Sequence, residues 1–194
     1  VEDISGRKQA EAALQRSEEQ LRLALDLTHI SSWDWYITTG EAIWNENHYR
    51  LLGLVPGEIQ PSYQVWRQSV HPQDIDRIEQ MVAQALETHS NYESEYRVVD
   101  VDGRVRWVLS KGRGLYNAEG KAVRMLGVLF DISDRKQAEA ELRQSQERLQ
   151  LVIDATTDGI WDWDLISNQL SWSHQIYEFL GLNPGTEVSY IASV

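Results

Sequence analysis

The chain repeats itself over a distance that only whole folding units can fill. The stretch DISGRKQAEAALQRSEEQLRLALD, Asp3 to Asp26, returns as DISDRKQAEAELRQSQERLQLVID, Asp131 to Asp154, an offset of 128 (131 minus 3). At that offset the match runs without a gap from Asp3 on Asp131 to Gly57 on Gly185. Trp33-Asp34-Trp35 falls on Trp161-Asp162-Trp163, Trp44 on Trp172 and Tyr49 on Tyr177. Leu52-Gly53-Leu54 with Pro56-Gly57 falls on Leu180-Gly181-Leu182 with Pro184-Gly185. Such a period is too long for a solenoid and fits domains strung in tandem. The expected organisation is the tail of a preceding unit over 1–6, a connecting helix over 7–26 and a complete unit over 27–133. A second connecting helix over 134–154 and the first part of a further, truncated unit over 155–194 follow.

Composition removes several classes of function. With 42% hydrophobic and 25% charged residues among 194, the chain is ordinary for a soluble globular protein. Its formal net charge of -12 opposes sequence-independent binding to nucleic acid or to an anionic membrane surface, and Arg7-Lys8 and Arg135-Lys136 have acidic neighbours. The absence of cysteine removes disulfides, thiolate metal sites and cysteine nucleophiles, and is compatible with the cytoplasm. No apolar run approaches 18 residues, so no membrane contact is expected within this stretch; a parent protein anchored elsewhere is compatible with it.

Periodicity places the elements. Ala10, Leu14, Ser17, Leu21 and Ala24 alternate steps of four and three, the seam spacing of a coiled coil, and Ala138, Leu142, Ser145, Leu149 and Val152 repeat it. The serines weaken both seams. SWDWYI and AIW read as a hairpin around Thr38-Thr39-Gly40-Glu41, and NENHYRLLG as a short helix closed by Gly53. HPQDIDRIEQMVAQALETH reads as the longest helix of the globular part, with Pro72 in its first turn and Ile75, Ile78, Val82, Ala85 and Leu86 on one face. YESEYRVVD, VRWVLSKGRGLY and AVRMLGVLFDIS read as three strands joined at Asp102-Gly103 and Asn117-Ala118-Glu119-Gly120. Two strands, helices and three further strands predict an α+β fold, an antiparallel sheet with helices on one face.

In their order, the WDW strand, the W…Y..LG..PG helix and turn, the VHPQD helix start, DGRVRW, and RMLGVLFDIS followed by DRKQAE resemble a PAS domain with its C-terminal PAC motif. The resemblance is closest to the Trp-rich PAS subfamily of bacterial, notably cyanobacterial, sensor proteins, and covers essentially the whole chain. It implies a five-stranded PAS sheet and tandem sensory modules. In such proteins the final strand passes directly into a signalling helix through a triplet that is Asp131-Ile132-Ser133 here. A helix from Asp134 to Asp154 would extend roughly 30 Å at ~1.5 Å per residue. Through Leu142 and Leu149 it would pair with a second copy, giving a homodimer, and pass a small rotation to an output domain in cis. The implied output is the core of a two-component sensor histidine kinase that feeds a phosphorelay. The input region of a diguanylate cyclase or phosphodiesterase, and a ligand-free dimerisation and docking scaffold, are the alternatives.

The same resemblance makes Trp33, Trp35, Trp44, Trp66, Trp107 and Met125 candidates for lining a cavity between sheet and helices, although strand aromatics more often simply pack. Asp34 and Asp162, between tryptophans, alternate to the other face, where each is expected to be solvated or structurally paired rather than to hold an indole donor or a backbone group. No cofactor is evident. Haem is disfavoured because Ile75 to Leu86 contains no histidine, and a cysteinyl-flavin adduct is excluded without cysteine. A noncovalent flavin or a small metabolite is left open as ligand. WSHQIYEFLG around His174 resembles a kinase phosphoacceptor helix, yet His174 falls on Glu46 in the repeat and no Arg-x-x-Pro follows. KGRGLY from Lys111 lies in a strand and opens no helix, so it is no phosphate cradle. Catalytic and metal residues are not expected.

Overall fold

The computed structural model describes residues 4–155 and 159–183, and the chain divides into two compact units at Lys136–Gln137. The first three residues of the expected tail and the Pro184-Gly185 match lie outside the described residues. From Ile4 onward the chain is already helical, so the first connecting helix begins earlier than residue 7.

In the first unit α1 (Ile4–Leu27) leads to β1 (Ser31–Tyr36), β2 (Ala42–Trp44), α2 (Glu46–Leu52), α3 (Tyr63–Ser69) and α4 (Ile75–Glu87). Then come β3 (Asn91–Val99), β4 (Val105–Tyr116), β5 (Ala122–Asp131) and the start of α5 (Ser133–Ala155). The five strands make one antiparallel sheet in the order β2-β1-β5-β4-β3. The helices after β2 carry the chain from one edge to the other, and two hairpins bring β5 back beside β1.

Alternation along β3 buries Tyr92, Ser94, Tyr96 and Val98 and turns Glu93, Glu95 and Arg97 to the opposite face. Against that inner face pack Leu52 of α2 and Ile78 and Ala85 of α4, with Val108, Met125 and Leu129 from β4 and β5, none more than 5% exposed. Burying a Leu or Ile side chain in this way stabilises by ~1.5–3 kcal/mol. These contacts, rather than propensity, hold the short helices on the sheet.

Two local features differ from the sequence reading. No periodicity announces α3, which is too short for a pattern; Ser62 starts it by accepting a hydrogen bond from the Val65 amide at 3.2 Å. The long helix begins at Ile75, not around Pro72, after a turn in which the Asp74 amide donates to the His71 carbonyl at 2.8 Å. Asp74 stands at the N-cap yet makes no side-chain cap, because Arg97 takes its carboxylate. Arg97 donates from its backbone N and Nε to Oδ2, both at 2.9 Å, and from Nη2 to Oδ1 at 2.8 Å. The Arg97 hydrogen bonds pull the Asp74 pKa down to about 2. The start of α4 is thereby bonded to β3.

In the second unit β6 (Trp161–Asp164) pairs with β7 (Gln169–Trp172), and α6 (His174–Leu180) follows. Trp161 faces Trp172 in register as Trp33 faces Trp44, and left-handed Gly181 (φ 63°) ends α6 as Gly53 (φ 70°) ends α2. The edge contact of Trp44 on Tyr49, 5.6 Å between ring centres, recurs as Trp172 on Tyr177 at 5.7 Å.

Candidate functional site

Between the inner face of the sheet and α2, α3 and α4 lies a cavity of about 50 Å³. Of the residues expected there, Trp33, Trp35, Trp44, Trp66 and Met125 line it. Trp107 does not belong to this site. Its β4 neighbours Val108 and Ser110 point inward and are buried, so strand alternation sends Trp107 to the outer face. There its ring lies 5.6 Å from the Arg97 guanidinium and 5.2 Å from the Lys136 ammonium.

Each wall has a local cause. Trp33 lies over Gly112 and Gly127, register partners on β4 and β5; a Cβ on either would come within 2.7 Å of the indole. Trp35 stacks on Tyr63 of α3 at 4.8 Å. Tyr63 in turn donates to Glu79 of α4 at 2.7 Å, the same oxygen that accepts from Arg67 Nε at 2.7 Å. Burial, then the hydrogen bond to Glu79, hold the Tyr63 phenol protonated well beyond its usual range. Trp66 donates its indole N–H to the Tyr96 hydroxyl at 3.2 Å, which ties α3 to β3. The short helix α3 is thus fastened as one side of the cavity.

The sequence reading passed over His48, Tyr63 and Tyr92, all of which line the cavity. His48 lies parallel to Trp44, 4.2 Å between ring centres, and is 2% exposed. Burial lowers its pKa to about 3, outweighing the contact with the Ser32 backbone that favours the charged form. It is a neutral imidazole at physiological pH. A signal was available: position 48 falls on Ile176 in the repeat, which marks an inward-facing site of the short helix.

The cavity also tests the cofactors. Pockets for cofactor- or drug-sized ligands run to roughly 300–1,000 Å³. At about 50 Å³ the cavity is well below that range and, as its side chains stand, has room for a much smaller molecule. Among the described residues no group of three or more His, Cys, Asp or Glu is arranged to hold a metal ion.

Entry and exit of the chain are bonded to the same framework. The Asn47 side-chain amide donates to the Leu25 carbonyl, in the last turn of α1, at 2.9 Å. In the second unit Gln175, at the matching position, donates to the Ile153 carbonyl, which matches Leu25, also at 2.9 Å. At the exit, Asp131 Oδ1 accepts from the Ser133 amide at 2.9 Å and Oδ2 lies 3.3 Å from Arg106. Ile132 is buried, and its amide donates to the Trp107 carbonyl at 2.9 Å; Ser133 Oγ accepts from the Trp107 amide at 3.0 Å. Glu95 of β3 then holds Arg135 at 2.5 Å and Lys136 at 2.6 Å, which keep its pKa below the usual range, Lys136 most strongly. On the outer face Asp34 is paired rather than solvated, with both carboxylate oxygens on Arg124.

Residues 41–129 match the family described as PAS fold. A crystal structure of a sensory box histidine kinase/response regulator from Burkholderia thailandensis E264 is 32% identical with a TM-score of 0.60, over 68% of this chain and 98% of that one. Among curated proteins, the probable diguanylate cyclase DgcE of Escherichia coli K12 is 29% identical over 160 residues, 82% of this chain and 14% of that protein. The blue-light-activated histidine kinase of Brucella anthropi is 31% identical over 127 residues, 66% of this chain and 25% of that protein. This chain therefore spans a quarter or less of the length of these two relatives. A five-stranded sheet in this order, helices enclosing an aromatic cavity, a last strand running directly into a long helix, and these matches lead to one conclusion: the chain belongs to the PAS domain family.

Proposed function

We infer that the chain is a sensory and transmitting segment of a signalling protein, in which the first PAS unit passes the state of its cavity through α5 to a second PAS unit begun by β6, β7 and α6. The junction of β5 with α5 carries this reading. Only Ile132 separates strand from helix, and the first turn is bonded to β3 and β4 through Glu95 and Trp107. A displacement of the sheet must therefore move the helix. Asp131, Ile132 and Ser133 act in this scheme as the joint, and Asn47 and Gln175 as the matching clasps on the incoming helices.

The helices supply the partner surface. Leu142 and Leu149 of α5 are 61% and 60% exposed, and Leu14 and Leu21 of α1 are 61% and 63% exposed, all at seam positions. A second copy of the chain covers these seams in the proposed parallel homodimer. Leu142→Asp with Leu149→Asp is expected to shift sedimentation from dimer towards monomer at micromolar concentration while the far-ultraviolet dichroism of the sheet persists. A wild-type chain that stays monomeric at high concentration removes the rod mechanism.

The output proposed is a histidine kinase core in the cytoplasm, supported by the similarity to the Burkholderia protein over nearly all of its solved chain. Among the described residues no helix is long and apolar enough to cross a membrane. An input region of a diguanylate cyclase is the second reading, favoured by the length of the match to DgcE. The purified parent protein is expected to take the γ-phosphate of ATP onto histidine, as acid-labile label. Cyclic dinucleotide formed from GTP, without such label, transfers the segment to the cyclase reading.

A further inference from the structure

The polar side chains around the cavity direct their polar atoms away from it. Tyr63 gives its hydroxyl proton to Glu79 at 2.7 Å and Trp66 its indole N–H to Tyr96 at 3.2 Å, while Ser62 Oγ accepts from the Val65 amide at 3.2 Å. Ser110 serves the hydroxyls of both Tyr92 and Tyr96, and His48 is turned to the Ser32 backbone. The surface left facing the space is almost wholly apolar, made by four tryptophans and three tyrosines beside Ala42, Val82 and Met125.

Such a surface selects its occupant. A buried water needs about two to four polar partners, and an apolar cavity that lacks them stays dry. No Asp, Glu, Lys or Arg lines the space, so an ion would be buried without a counter-charge. Aromatic faces carry negative charge density, which suits the weakly positive hydrogens of C–H groups. An apolar cavity of about 150 Å³ holds benzene, so one of about 50 Å³ holds roughly two or three carbon atoms.

We propose that the cavity of the first unit binds a short hydrocarbon of roughly two or three carbon atoms, held between Trp33, Trp35, Trp66, Val82 and Met125. Burial and dispersion supply the binding: the occupant gives the side chains around the space contacts that a void denies them, and no hydrogen bond is required. Met125 belongs to β5, the strand that runs into α5, so an occupant packed against it bears on the joint at Asp131. This assignment rests on the sensory reading of the cavity and adds to it the class of molecule that is sensed.

Ethene, xenon and methanol, the last a polar molecule of ethene's size, are titrated into the isotope-labelled chain and read by NMR. Ethene and xenon are expected to move the Trp33 and Trp35 indole signals and the Met125 methyl signal saturably, with Trp107 on the outer face unmoved. Methanol, whose hydroxyl would go unpaired, is expected to bind about tenfold more weakly or worse. Ala42→Val, which fills the space with added methyl groups, is expected to weaken ethene about tenfold, and Val82→Leu serves if that variant does not fold. Methanol binding as well as ethene overturns the apolar class, and xenon binding without ethene overturns the hydrocarbon. Ethene held undiminished by the filled variants lies elsewhere, which overturns the site. If nothing binds, the inference falls and the filled variants decide the sensory reading: a shift of their Ile132 and Ser133 amide signals keeps it, and its absence ends it. Ethene bound with those amides unmoved upholds the hydrocarbon site and ends the sensory reading.

Discussion

Gly127→Ala is expected to destabilise the first unit by about 3 kcal/mol or more, the upper end of the range for overpacking a core. An added Cβ would stand 2.1 Å from the Lys111 carbonyl oxygen, 2.6 Å from the Trp33 ring and 2.8 Å from the Gly112 Cα. Two of these three neighbours are backbone atoms of the adjacent central strand, so relief requires the β4–β5 pair to separate. Gly112→Ala is the milder partner. Its nearest contacts are ring atoms of Trp33 at 2.7 Å, and that ring adjoins the cavity into which it can tilt. Urea unfolding of the two variants, followed by dichroism, should rank them in that order. A Gly127→Ala loss below about 1 kcal/mol, the bottom of that range, means the indole does not lie on the glycine pair.

Between pH 7 and pH 5 the first unit is expected to lose about 2 kcal/mol of stability through His48 alone. The unfolded imidazole titrates at 6.5 and the buried one at about 3, so between these values the unfolded state binds the extra proton. Stability must fall as pH drops below 6.5, and the loss is complete near 3. Asp74 acts in a lower window: its pKa is depressed from 3.8 to about 2, so its contribution is present above 3.8 and lost only below it. His48→Gln should flatten the limb between pH 5 and pH 7 whatever its effect on absolute stability. A variant that keeps the wild-type slope would place the responsible proton elsewhere.

Much of the fold could be read because its cues are local. The alternation in YESEYRVV and VRWVLSKG, the turns at Gly103 and Gly120 and the left-handed stop at Gly53 depend only on neighbouring residues. Tryptophans of the first hairpin and Met125 were legible as cavity candidates through the family resemblance. Trp107 was not separable from them by residue type, because which face an aromatic occupies follows from strand parity within the assembled sheet. His48 was missed for a similar reason. A single histidine on the short helix α2 carries no local mark that its ring lines the cavity rather than the surface.

The sequence by itself determined the repeat, the α+β class, the order of the elements and the direct passage from the last strand to a long helix. It also determined that no thiol chemistry operates here, since no cysteine is present. Only the tertiary structure decided that Asp74 serves Arg97 rather than its own helix, that Trp33 rests on two glycines from different strands, and that Trp35, His48 and Tyr92 line one small cavity. The division has a physical reason. Periodicity and turn chemistry act over a few residues, whereas burial, unpaired polar atoms and the volume left between side chains are properties of segments that meet only when the sheet closes.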